Sequence, residues 1–338
     1  MHVYYTQKET KNMKTKLLSL CPIADGAAKN RMAEFYDITE LEKCTEEELF
    51  ARAGSFEALI VPYTANMLVS ERVIDKAENL KIIASAYGGT RQNIADIHAI
   101  RKGIAVLHTG ASRERPMAEY TLALVLCSFL RINNYYHDMC AGEWPRAKYP
   151  RSRILRDRKV AVVGYGRIGK AIAELFKTFT GNISVVSKHL SAEEAEACGL
   201  KKVELDTAFA ESEVIILAGG NTPANRHMIG ARQFALMQKD ALFVNIARGQ
   251  MVDEAAMAAA AAERPIFLAL DVFETEPLPA ESPLRNRGNV LITPHRANNP
   301  IEFEERWQCL ADDLVQLAKG GTPDSVLTEE RALTMSES

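Results

Sequence analysis

The chain has 338 residues, 47% of them hydrophobic and 25% charged, the composition of a globular protein of about two domains. With 41 Lys+Arg against 44 Asp+Glu, a formal net charge of -3 and a pI near 6.2, it carries no general attraction for polyanions, and no nucleic-acid partner is expected. No apolar run approaches the roughly 20 residues of a bilayer span, and the longest, residues 120–130, is interrupted by small and polar side chains, so no membrane partner is expected either.

Residues 1–20 hold lysines and only a short apolar run, with no cleavage pattern of small residues, which predicts a cytoplasmic protein. Cys21, Cys44, Cys127, Cys140, Cys198 and Cys309 are far apart and form no Cys-x-x-Cys pair, as expected of thiols in a reducing compartment. Neither a disulfide framework nor a metal site is predicted.

Short apolar runs alternate with amphipathic stretches along the chain, the pattern of βα units around parallel sheets. Strands are predicted at 15–20, 57–61, 80–85 and 104–108. From 116 to 137 the spacing of Met117, Tyr120, Thr121, Leu124 and Cys127 predicts one long helix, with Pro116 near its first turn; such a helix is suited to bridging two domains. A second series follows at 159–164, 183–186, 213–218, 241–246, 266–272 and 290–293, six strands that complete a doubly wound domain. A last helical stretch, 301–319, is expected to pack back on the first domain, and the polar tail, 322–338, to be partly mobile. The expected fold is α/β, with a Rossmann doubly wound domain (113–299) inserted into a discontinuous flavodoxin-like domain (1–112 plus 300–338).

The apolar residues 160–163 run into Gly164-Tyr165-Gly166-Arg167-Ile168-Gly169 and then a helical stretch, which is Gly-x-Gly-x-x-Gly between strand and helix. Gly164 permits the tight turn, Gly166 lets backbone approach a pyrophosphate, and Gly169 lets helix pack close to strand. The helix N-terminus adds free N–H groups and partial positive charge. A dinucleotide-binding domain is therefore expected at 113–299, which leaves the other domain to bind substrate. After the next strand, where an acidic residue commonly accepts the ribose hydroxyls, the chain reads Ser187-Lys188-His189. A hydroxyl beside two basic side chains suits a 2'-phosphate. NADP(H) is the expected cofactor, with NAD(H) as the alternative if Lys188 is merely solvated.

Three later strands run into Ala247-Arg248-Gly249, Phe273-Glu274-Thr275-Glu276 and Pro294-His295-Arg296. Parallel strands place their carboxyl ends on one edge, so Arg248, Glu276 and His295 are expected to converge beside a nicotinamide. Their types fit reduction of a 2-oxo acid. A guanidinium fork holds carboxylate and carbonyl oxygen, an imidazole delivers a proton near neutral pH, and a carboxylate orients that imidazole and favours its protonated form. Each has a plainer alternative: a strand-end cap for Arg248, a solvated turn residue for Glu276, a satisfied loop histidine for His295.

Gly164 to Gly169, Asn245 to Glu254, Leu270 to Pro279 and Thr293-Pro294-His295 together resemble the D-isomer-specific 2-hydroxyacid dehydrogenases. The resemblance runs from about Leu80 to the end of the last long helix and is most specific in the cofactor half; the first 75 residues match only in general pattern. It implies a catalytic set of Arg248, Glu276 and His295, and cofactor contacts from Asp271, Ile246, Ala247 and the main chain at Arg167 and Ile168. It further implies a loop at Gly220-Asn221-Thr222-Pro223 beside the adenosine half, and a homodimer formed through the cofactor domain, with Gly142-Glu143-Trp144 similar to the family's dimer arm. The expected partner is a small 2-oxo or 2-hydroxy acid.

Two departures stand out. Where the family has Gly-x-Gly-x-Asp-Asn, whose N–H groups hold the substrate carboxylate, this chain has Ala86-Tyr87-Gly88-Gly89-Thr90-Arg91-Gln92-Asn93. Tyr87, Gly88 and Gly89 are the expected substrate contacts, and the two glycines still permit close backbone approach. His295 is followed by Arg296-Ala297-Asn298-Asn299 in place of the common Ile-Ala-Gly. Arg91 or Arg296 is a candidate for contact with a distal anionic part of a larger substrate, solvated surface arginines being the alternative. An NAD(H)-sensing interaction protein, like the corepressors on this scaffold, is the competing function. No Gly-x-Ser-x-Gly elbow, Gly-Lys-Ser/Thr loop or His-Glu-x-x-His helix is present.

Overall fold

The structure, a computed structural model, describes residues 14–64, 66–298, 300 and 304–334; the expectations for residues 1–13, for the start of the last helix at 301–303 and for the final residues 335–338 lie outside these. The chain divides into two compact units, the described residues of Met1–Thr109 with Arg306–Ala332, and of Gly110–Glu305 with Leu333–Ser338. No helix among the described residues is long and apolar enough to cross a membrane.

In the first unit β1 (Thr15–Ser19), α1 (Gly26–Ala33), β2 (Tyr36–Glu40), α2 (Glu46–Ala51), β3 (Ala58–Val61), α3 (Glu71–Lys76), β4 (Ile82–Ser85), α4 (Asp96–Arg101) and β5 (Ala105–His108) follow one another. The sheet is parallel, in the order β2-β1-β3-β4-β5, the flavodoxin-like order. The central strand β3 is buried throughout, which is why it reads as a continuous apolar run. The edge strand β2 was not anticipated. Only Tyr36 in its sequence is buried, so it shows no apolar run.

The second unit holds α5 (Glu114–Leu130) and α6 (Ile132–Cys140). The single long helix expected there is two, because Arg131 takes the left-handed conformation at φ 56° and ends the first. The three-and-four spacing continues across that break, so the pattern conceals it. There follow β6 (Val160–Val163), α7 (Arg167–Phe176), β7 (Ile183–Val186), α8 (Ala192–Ala197), β8 (Lys201–Lys202), α9 (Leu205–Glu211), β9 (Val214–Leu217), α10 (Ala231–Leu236), β10 (Leu242–Asn245), α11 (Glu254–Glu263), β11 (Phe267–Leu270) and β12 (Val290–Ile292). They form a parallel sheet of order β12-β11-β10-β9-β6-β7-β8. It has seven strands, not six; β8 is two lysines long and carries no apolar signal. The chain order reverses between β6 and β9, the position where open α/β sheets take ligands. On one face Val160 and Val162 pack with Ile172 and Phe176; on the other Val163 packs with Phe243 and Leu217. There Phe209, Phe234 and Phe243 meet with ring centroids 5.4 to 6.3 Å apart.

The chain then returns to the first unit as α12 (Arg306–Ala318). Trp307, Leu310, Ala311 and Leu314 of α12 join Leu17, Met32, Tyr36 and Ile60 in one core. The described part of the tail carries regular structure that its polarity does not announce. Val326 pairs with Leu107 of β5 in an antiparallel bridge, and α13 (Glu329–Thr334) follows, with Glu329 ion-paired to Arg101.

Tyr36 is 2% exposed, and its hydroxyl donates to the Leu314 carbonyl at 2.8 Å. Burial pushes its ionisation up to about 12. A raised acid stabilises fully below the unfolded value near 10 and is lost as pH rises through the folded one; two units correspond to roughly 2–3 kcal/mol. Urea unfolding followed between pH 9 and 12 should show stability falling above pH 10, and Tyr36→Phe should flatten that slope.

Candidate active site

At the end of β6 the glycine turn takes the form its sequence requires. Gly164 sits at φ +100°, and a Cβ there would lie 2.5 Å from the Gly219 Cα. A Cβ on Gly169 would lie 2.0 Å from the Gly164 carbonyl oxygen, whereas one on Gly166 would meet nothing within 4 Å. The first and third glycines thus answer to packing, and the middle one faces open space. Gly166 is also the N-cap of α7 and offers no side-chain acceptor to its first N–H groups, which leaves a cradle fit for a pyrophosphate. The Arg167 side chain turns away to pair with Glu114 at 2.9 Å, so Arg167 and Ile168 present main chain here. Tyr165 packs against the core of the second unit beside Cys198, where burial raises its hydroxyl to about 12.

Beyond β7, Ser187 is half-buried and accepts the His189 N–H at 3.2 Å, while Lys188 and His189 are exposed. Beyond β9, Gly220, Asn221 and Thr222 are half-buried, and the Gly220 carbonyl accepts from the Asn225 side chain at 2.8 Å.

Beyond β10, buried Asn245 shapes the next turn. Its amide oxygen accepts the Ala247 N–H at 3.0 Å, and its amide nitrogen donates to the Arg248 carbonyl at 3.1 Å. Ile246 and Ala247 are buried, and the Arg248 guanidinium donates back to the Ala247 carbonyl at 2.8 Å. Gly249 then runs hard against the loop after β11: a Cβ there would lie 1.8 Å from the Phe273 carbonyl carbon. The Arg248 turn is therefore seated on the segment that carries Glu276.

Asp271, 1% exposed at the end of β11, organises the last loop. One carboxylate oxygen accepts the Thr293 hydroxyl at 2.6 Å and the Arg296 N–H at 2.9 Å; the other accepts the Ala297 N–H at 2.9 Å. Its carbonyl accepts the His295 N–H at 2.8 Å. The Tyr120 hydroxyl of α5 hydrogen-bonds Thr293 in the same cluster. His295 is held at φ +51°, a strained region for a non-glycine residue that surrounding contacts must enforce.

In that pose Nδ1 of His295 lies 2.7 Å from Oε2 of Glu276. A carboxylate only accepts, so Nδ1 carries the proton and Nε2 is the nitrogen left for chemistry. The other Glu276 oxygen accepts the Phe273 N–H at 3.0 Å, which fixes the acid from behind. Both side chains are about one-third exposed and border a pocket of about 540 Å³ with Pro277, Leu278, Arg285 and Thr293.

In the first unit the loop after β4 is built around Ser85, whose hydroxyl lies 3.0 Å from the Tyr87 carbonyl and 2.8 Å from that of Gly89. Gly88 is half-buried and Gly89 exposed. The Tyr87 ring lies 4.7 Å from that of Tyr63. Arg91 is not a solvated surface arginine: its side chain is 15% exposed and its Nε lies 3.9 Å from buried Asp96. Arg296 is exposed.

Sequence reasoning missed Thr293 and Tyr120 around Asp271, and a second histidine–carboxylate pair, His227 with Glu274. The Asp271, Thr293 and His295 spacing alone held a signal for the first; no local signal marks the second.

The profile of the family described as D-isomer specific 2-hydroxyacid dehydrogenase, NAD binding domain, matches residues 122–297. A D-3-phosphoglycerate dehydrogenase of Archaeoglobus fulgidus is 33% identical over 307 residues, covering 90% of this chain and 58% of that protein. This chain thus spans less than two thirds of that relative. A glyoxylate reductase of Aeropyrum pernix is 32% identical over 314 residues, covering 88% of this chain and 92% of the relative. Among solved structures, a Pyrococcus horikoshii OT3 protein superposes with a TM-score of 0.79 at 26% identity, over 94% of this chain and 96% of that one.

If Asp271 holds the His295 loop as described, Asp271→Asn should speed hydrogen exchange at the Arg296 and Ala297 amides by at least about tenfold, since a neutral amide oxygen accepts more weakly and the second acceptor is gone. Unchanged protection would refute that role.

Proposed function

The chain belongs to the D-isomer-specific 2-hydroxyacid dehydrogenase family, and we propose that it transfers a hydride between a nicotinamide cofactor and C2 of a small 2-oxo or D-2-hydroxy acid. The observation that carries this reading is the 2.7 Å contact of His295 Nδ1 with Glu276, on the sheet edge where the Arg248 turn packs against the loop bearing that acid.

The cofactor, when bound, supplies or receives the hydride. In the direction of reduction Arg248 holds the substrate's carboxylate and carbonyl oxygen through its fork of donors, and His295 delivers a proton from Nε2 to the oxygen on C2 as negative charge develops there. Glu276 keeps the proton on Nδ1 and stabilises the imidazolium that must exist beforehand. In oxidation the same imidazole, neutral, takes the hydroxyl proton. Tyr87, Gly88 and Gly89 are assigned to substrate, the Gly88 and Gly89 N–H groups being donors for a carboxylate, while the Tyr87 N–H is engaged on the Ser85 hydroxyl at 3.2 Å. The first unit is accordingly read as the substrate domain and the second as the dinucleotide domain.

Gly164, Gly166 and Gly169, with the N–H groups of Arg167 and Ile168, are assigned to the pyrophosphate. Asn221 and Thr222 are assigned to the adenosine half, and Ile246, Ala247 and Asp271 to the nicotinamide half. Ser187, Lys188 and His189 favour NADP(H), because exposed basic side chains beside a hydroxyl suit a phosphate monoester and the end of β7 holds no carboxylate to accept ribose hydroxyls. A homodimer is supported by α6, which exposes Ile132, Tyr136 and Met139 on one face and is followed by exposed Trp144, an apolar patch of the kind that interfaces cover.

Steady-state reduction of glyoxylate, hydroxypyruvate and pyruvate with NADPH and NADH tests the reading. Turnover of at least one is expected, with His295→Ala lowering kcat by about a hundredfold or more and leaving cofactor affinity nearly unchanged; an undiminished kcat would reject the assignment. Lys188→Ala should raise KM for NADPH about tenfold while sparing NADH, and equal effects on both would remove the 2'-phosphate contact.

A further inference from the structure

His227 lies outside the set just assigned. It closes the loop that follows β9, and its backbone adopts φ +49°, uncommon for a non-glycine residue. Its N–H donates to the Gln250 carbonyl at 3.0 Å, and the next turn runs beside residues 250–252, with Ile229 N–H on the Met251 carbonyl at 3.1 Å. Its Nε2 meets the Glu274 carboxylate, and since a carboxylate only accepts, that nitrogen donates.

Glu274 is held from three directions. His227 takes its carboxylate, the Glu254 carboxylate accepts its N–H at 2.9 Å, and the Gln250 side chain donates to its carbonyl at 3.3 Å. The preceding residue, Phe273, gives its N–H to Glu276, and its carbonyl is the surface on which Gly249 rests. One residue thus joins the loops after β9, β10 and β11, its main chain on Gln250 and its imidazole on Glu274, two residues from the acid that orients His295.

We propose that His227 is a positioning residue: through Glu274 it sets the Phe273–Glu276 segment so that Glu276 meets His295 Nδ1. This rests on the reading of His295 and Glu276 as the acid–base pair. A local prop of the fold would affect stability or cofactor affinity alone. A positioning residue affects the proton that Glu276 stabilises on His295, and so the pH dependence of reduction.

The test compares pH profiles of kcat for 2-oxo acid reduction in wild type, Glu276→Gln, His227→Ala and His227→Gln, with thermal midpoints and NADPH dissociation constants for each. Glu276→Gln should shift the profile toward lower pH, because the imidazolium loses its partner. His227→Ala should shift it the same way by a smaller amount and lower kcat about tenfold, with dissociation constant and midpoint near wild type. His227→Gln, which restores an N–H donor, should recover most of both. An unmoved profile in His227→Ala beside a moved one in Glu276→Gln would overturn this proposal alone; an unmoved profile in Glu276→Gln would overturn both it and the acid–base reading. If His227→Ala does not fold, Glu274→Gln takes its place with the same expected shift, and a wild-type profile there would count equally against it.

Discussion

A single buried carboxylate, Asp271, governs the chemistry-bearing edge of the second unit. Removing such a group from water costs several kcal/mol unless its charge is met by donors, and here the Thr293 and Tyr120 hydroxyls and two main-chain N–H groups meet it. Apart from Tyr120 those donors belong to the stretch Thr293–Ala297, so solvating the charge and shaping the loop go together. The loop cannot relax to a less strained conformation at His295 without exposing Asp271 to an unmatched environment. The acid that answers for the loop's shape differs from the acid that touches the imidazole, and this separates holding the histidine in place from tuning its proton.

Around that hub, the second unit relies on contacts too close for any side chain. Gly164 against Gly219, Gly169 against the Gly164 carbonyl, and Gly249 against Phe273 each bring two backbone segments within the space of one Cβ. The first two tighten the strand-to-helix turn at the point where the sheet order reverses. The third seats the Arg248 turn on the segment of Glu276, so that a guanidinium and a carboxylate from different strands share one support. Steric exclusion there adds to the hydrogen bonds that Gln250 and Glu254 make with Glu274.

Strands were legible where both faces are buried. Residues 160–163, 214–217 and 242–244 are apolar because helices cover the sheet on both sides. At the edges that pressure is absent, which is why β2, with Tyr36 as its only buried residue, and β8, made of two lysines, left no signal. The break at Arg131 left none either, since a left-handed residue interrupts hydrogen bonding without disturbing the apolar spacing around it. The tail reads as polar yet pairs with β5, because buried Leu327 and Ala332, with Val326 against the core and main-chain bonds, dock it. Among the site residues Arg91 shows the limit most clearly: a solvated arginine and a buried one beside Asp96 have the same letter.

The sequence by itself determined the α/β class, the two sheets with their reversal point, the glycine turn, and the chemical types waiting at successive strand ends, because burial, backbone freedom and side-chain chemistry are local properties written residue by residue. Tertiary structure alone decided that Nδ1 of His295 faces Glu276, that both carboxylate oxygens of Asp271 brace the loop after β12, and that His227 reaches Glu274 from the loop after β9. Each of those outcomes depends on the direction of a side chain leaving a loop, and that direction follows from dihedral angles which distant parts of the chain impose.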